Sequence, residues 1–83
     1  MRNLMKQQPD ILEAWVIYDR PSDYPTLFVA RKWLVLPDNP TPQPTSDALF
    51  DLSLDVLRSR LPSGLFRVPR TKNDDVTIVE VWL

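Results

Sequence analysis

Nine prolines and a single glycine in 83 residues set the terms on which this chain can fold. Proline fixes φ and has no amide hydrogen, so it is excluded from helix interiors and from the middle of sheets. It also lowers the entropy that the unfolded chain must give up. The prolines fall between the apolar runs: Pro9 ahead of the first, Pro21 and Pro25, then Pro37, Pro40, Pro42 and Pro44, then Pro62 and Pro69. They punctuate a fold and do not make the whole chain disordered.

Residues 1–13 are expected to form a flexible N-terminal tail, with at most a helical turn at Ile11–Glu13, and 14–83 a single domain. Ala14–Tyr18 is a run of aromatic and β-branched residues that suits a strand. It stops at Asp19–Pro25, dense in turn formers. Thr26–Leu36 predicts a second strand. Phe28, Ala30, Lys32 and Leu34 share one side; Leu27, Val29, Arg31, Trp33 and Val35 share the other. The two strands suit an antiparallel hairpin. Residues 37–45 carry four prolines and read as a stiff polyproline-II connector along the sheet edge.

The stretch 46–61 admits two readings. As one helix it would present an apolar arc of about 200°, wide for a helix on a small domain. Split, Ala48–Phe50 forms a short strand and Ser53 caps a helix beginning at Leu54, with Asp55 in its first turn. That helix buries Leu54, Leu57 and Leu61 and exposes Arg58 and Ser59. The split is preferred. Pro62–Gly64 ends the helix, the glycine supplying a left-handed position. Leu65–Pro69 is semi-extended, and 70–75 is a charged loop. Val76–Leu83 is the clearest strand, and so apolar a strand belongs inside a sheet, not at its edge. The expected fold is therefore α+β: a small antiparallel sheet of three to four strands with one packed helix, in ββ(β)αβ order.

The segments Trp15–Pro25, Phe28–Trp33, Ser53–Leu65, Arg67–Arg70 and Ile78–Trp82 together resemble a group of small uncharacterised bacterial proteins. The resemblance covers most of the chain after Ala14. It implies the split between strand and helix, and it implies no activity.

Chemistry is bounded by what the chain lacks. Without cysteine or histidine there is no thiol nucleophile, no Ser-His-Asp triad and no zinc site of sulfur and imidazole. One glycine excludes a phosphate-cradling loop and a dinucleotide fingerprint. The chain is expected not to be an enzyme and to need no cofactor or metal. The aspartates Asp19 with Asp23, and Asp74 with Asp75, read as solvated turn formers. Glu80 stands among apolar strand residues and is expected to face solvent; turned inward, it would need Arg31 or Arg67 as its partner. No apolar run is long enough to span a bilayer and no secretory signal is visible, so a cytoplasmic location is expected.

What remains is surface. Small domains gain stability from disulfides, metals or partner subunits. With the first two closed, self-association or docking on another protein is the expected route. A partner surface is expected to draw on Asp23 and Tyr24 in the first loop, Arg31 and Trp33 on the second strand, Arg67, Arg70 and Lys72 near Phe66, and the terminal Trp82. Arginine beside aromatic rings is typical of protein hot spots. The same combination serves single-stranded nucleic acid, with Arg31, Lys32, Arg67, Arg70 and Lys72 around Trp33 and Phe66 as the alternative. A net charge of −1 favours protein. The leading expectation is a non-enzymatic protein-binding or modulatory module, an accessory protein of the kind a phage or mobile element would carry.

Overall fold

A computed structural model describes residues 11–69 and 76–83. Five antiparallel strands and one short helix follow in the order β1 (Leu12–Asp19), β2 (Phe28–Leu36), β3 (Asn39–Asp51), α1 (Leu54–Ser59), β4 (Arg67–Pro69) and β5 (Ile78–Trp82). The sheet order is β3-β2-β1-β5-β4. The fold is thus α+β with an antiparallel sheet. The strand number is five, not three to four, and the order differs from ββ(β)αβ because β4 precedes the last strand.

β1 and β2 form the expected hairpin, in register from Leu12 opposite Val35 to Asp19 opposite Phe28. Leu12 and Glu13, assigned above to the tail or a helical turn, open β1 instead; residues 1–10 lie outside the described residues. β5 pairs with β1 on one side and β4 on the other, so the apolar closing strand is interior.

The proline-rich stretch 37–45 is, from Asn39 onward, the first part of an edge strand. Residues in a strand turn their amides alternately to either side. Pro40, Pro42 and Pro44 occupy alternate positions; Pro44 stands opposite Trp33 and Gln43 opposite Leu34 of β2, and a proline can keep such a place only where its donor is not needed by the ladder. The missing donors therefore fall on the outer margin, where proline is tolerated. The register of β3 against β2 slips twice along this length.

Ser53 separates β3 from α1, as the split reading requires. Its backbone is extended, and its Oγ accepts a 3.3 Å hydrogen bond from the Val56 amide. Asp55 lies in the first turn and Arg58 in the last, each suited to its end of the helix dipole. The helix ends at Ser59, before Leu61, and Gly64 turns the chain beyond it at φ +88°.

The core lies between α1 and one face of the sheet. Leu57 and Ile17 are fully buried, with Trp15 and Ala30 beside them. Phe28, Leu49, Leu54, Leu61 and Trp82 pack around this cluster. Burial of Leu57 and Ile17 contributes roughly 1.5–3 kcal/mol each. With so few fully buried side chains, the domain has little stability to spare.

Candidate functional site

The side of the sheet away from α1 carries the candidate site. Alternation along β1 turns Trp15 and Ile17 to the core and Ala14, Val16 and Tyr18 outward. On β2 the same side carries Val29, which is buried, and then Arg31, Trp33 and Val35, opposite Tyr18, Val16, Ala14 and Leu12 in turn. Val81 of β5 lies beside Val16, and Val68 of β4 beside Val81. Phe66 and Leu83 exchange backbone bonds of 2.8 and 3.0 Å, which carries the same side to the β4 edge.

A solvated sheet face normally alternates polar residues outward. This one does not. A depression of about 460 Å³ runs along it, lined by β1 and its neighbours, with Ala14 and Val16 at its floor and Trp33, Val35, Ile78 and Leu83 among its walls. Phe66 stands out beside it at 79% exposure, with Leu12, Val68 and Leu83 all exposed on the same side. Among the described strand positions of this face, Arg31 is the one charged residue. Its Nη1 reaches the Thr45 carbonyl at 3.5 Å, over the edge strand. The guanidinium therefore sits at the rim and leaves the centre uncharged.

The expected partner residues are not gathered in one place. Arg31 and Trp33 share the open face. Tyr24 borders it, half exposed, its ring tilted at 52° against Phe50 with centroids 4.6 Å apart. Asp23 beside it is exposed. Arg67 belongs to the other side, where its Nη1 lies 3.7 Å from Glu80. Trp82 also faces the core: its indole N–H donates to the Glu80 carboxylate at 2.7 Å. Its side chain is therefore turned from the open face. Lys32 is turned from the open face and lies 3.6 Å from both Glu13 and Asp47. Arg70, Lys72, Asp74 and Asp75 lie outside the described residues. Asp19 engages its neighbour Arg20.

Glu80 is the clearest correction. It points inward and is 2% exposed. Its partner is neither Arg31 nor chiefly Arg67 but Arg58, whose Nε and Nη2 each donate at 2.8 Å. Those bonds hold the Glu80 carboxyl below its ordinary range; burial opposes this, while the Trp82 N–H and the charges of Arg58 and Arg67 support it.

Sequence reasoning grouped Phe66 with Trp33 but missed Val68 as a member of the open face, because its orientation follows from pairing with β5. The signal available was the alternation of Phe66 and Val68 around Arg67. Among the described residues no helix is long and apolar enough to cross a membrane. No family model, curated protein or solved structure matches the chain.

Proposed function

We propose that this chain is a small non-enzymatic protein-binding module that docks through the open face of its sheet. One observation carries the reading: apart from Arg31, apolar side chains occupy the outward positions of β1, β2, β4 and β5, and among the described residues no helix or second sheet lies over them, Val29 alone being fully buried. Contiguous exposed apolar surface of this kind marks interaction sites in soluble domains. Trp33, Phe66 and Tyr24 supply the large aromatic anchors that dominate such interfaces, and Arg31 supplies a polar rim contact.

A charge placed on the depression floor tests the reading. Val16→Glu should abolish binding of a hydrophobic dye such as anilinonaphthalene sulfonate while the far-UV circular dichroism stays unchanged. Undiminished dye binding in a folded Val16→Glu variant would remove the face from consideration.

Single-stranded nucleic acid is the second reading, favoured by one observation: Arg31 stands two positions from Trp33 on the same face. It is weaker because Lys32 and Arg67 point to the opposite side, each near carboxylates. Phosphate contacts would make binding fall steeply with salt. Fluorescence anisotropy with a labelled oligothymidine at low and high salt tests this, and no binding at low salt would reject it.

A further inference from the structure

We infer that the occupant of the open face is a second copy of this chain, packed sheet to sheet about a twofold axis. The inference rests on the docking reading above and adds the identity of the partner.

The shape of the face supports it. One row crosses the sheet through Phe66, Leu83, Ala14 and Trp33. Phe66 pairs with Leu83, Ala14 lies opposite Trp33, and Leu83 and Ala14 both line the depression. A twofold axis parallel to the strands, passing between β5 and β1, reverses this row upon itself. Leu83 of one copy then meets Ala14 of the other, large against small, and Phe66 meets Trp33, ring against ring. A projection and a recess side by side on one surface are what an isologous pair requires. Aromatic pairs of this kind add to the area they bury.

Area and charge agree. Strands about 4.8 Å apart, rising about 3.3 Å per residue, give a face on the order of 500 Å² per copy. Two copies would bury about 1,000 Å², at the lower bound for a specific interface, so a weak dimer is the expected form. Arg31 is held at the rim by Thr45, so like charges do not meet at the centre. Pairing through the sheet edges is disfavoured: prolines occupy alternate positions of the first half of β3, and β4 has three residues ending in Pro69.

Sedimentation velocity across a dilution series of the full chain tests the inference. The wild type should pass from dimer to monomer as it is diluted. Phe66→Glu should weaken the dimer at least about tenfold, the scale of a hot-spot residue. Since Phe66 is 79% exposed, that variant should remain folded. Val56→Glu, 46% exposed on α1 and so on the opposite side of the sheet, should leave the dimer unchanged. The chain has no cysteine, so Ala14→Cys and Leu83→Cys variants, mixed and oxidised, report the predicted contact alone. Their preferential joining into a mixed disulfide supports the arrangement.

A wild type that stays monomeric at every concentration overturns the inference, as does a dimer that persists in Phe66→Glu. The dye assay separates the two readings. A monomer whose dye binding is lost in Val16→Glu rejects the second copy and leaves the docking face standing. A monomer indifferent to that substitution rejects both.

Discussion

Arg58 on α1 and Glu80 on β5 form a two-bonded guanidinium–carboxylate pair, both contacts at 2.8 Å, across 22 residues of sequence. It ties the helix to the interior strand at the point where the carboxylate is almost fully enclosed. Trp82 supplies a third hydrogen bond to the same carboxylate. A buried pair of this kind is not a large net source of stability, since both ions are desolvated to form it. Losing one partner is costly because the other is left uncompensated.

Arg58→Ala should therefore destabilise the fold by about 3 kcal/mol, measured as a lowered urea midpoint. The effect should fall short of the upper range because Arg58 is itself about one-third exposed and Arg67 lies within 3.7 Å of the stranded carboxylate. Replacing both groups, as Arg58→Met with Glu80→Leu, should recover part of the loss, the Trp82 N–H being left without its acceptor. An additive double variant would contradict the pairing.

The same carboxylate sets an acid dependence. Glu80 has a folded pKa below its unfolded value of about 4.3. In the window between them the unfolded chain binds more protons, so stability rises with pH there. The contribution is fully present above the unfolded value and is lost as pH falls through the folded one. Thermal melts from pH 7 down to pH 3 should show this fall in the wild type. In Glu80→Gln the fall should be shallower, because this titrating group is gone.

Gly64 stands at φ +88° with open space where a Cβ would be. Gly64→Ala should cost about 1 kcal/mol from backbone strain alone. Gly64→Asn should cost less, since asparagine tolerates the left-handed region. Equal stability of all three in chemical denaturation would show that the turn relaxes to negative φ.

Pro42 and Pro44 make a prediction about colloidal behaviour more than about stability. Exchanging both for valine restores outward amide donors and raises strand propensity on the longest edge. Light scattering at high protein concentration should show faster aggregation, with a urea midpoint moved only slightly. A double variant as soluble as the wild type would mean that the prolines do not guard this edge.

Much of this architecture was legible in the residues, for reasons that vary by element. β1, β2 and β5 declare themselves by aromatic and β-branched alternation, and Ser53 marks the boundary between β3 and α1. The first part of β3 was hidden because proline density reads as a connector; only its period of two betrays an edge strand. β4 is three residues long and takes its identity from the backbone of β5. Glu80 was misplaced for a related reason. Its environment depends on where α1 lies, and no local pattern relates Arg58 to a strand 22 residues away. Once Glu80 is known to be inside, Trp82 two positions on must face the same way, which turns it from the open face. The open face was half legible: Trp33 and Arg31 share a side by parity, whereas Phe66 and Leu83 join them only through the closing hairpin.

The proline-bearing margin also fixes the direction in which molecules can meet. A ribbon grows only if each unit offers hydrogen-bonding capacity at both lateral borders, and here one border is muted over half its length and the other is short. Contact is left to the perpendicular direction, where α1 already occupies one side. Whatever assembles on this protein should therefore stop at a finite count of members and not elongate without limit.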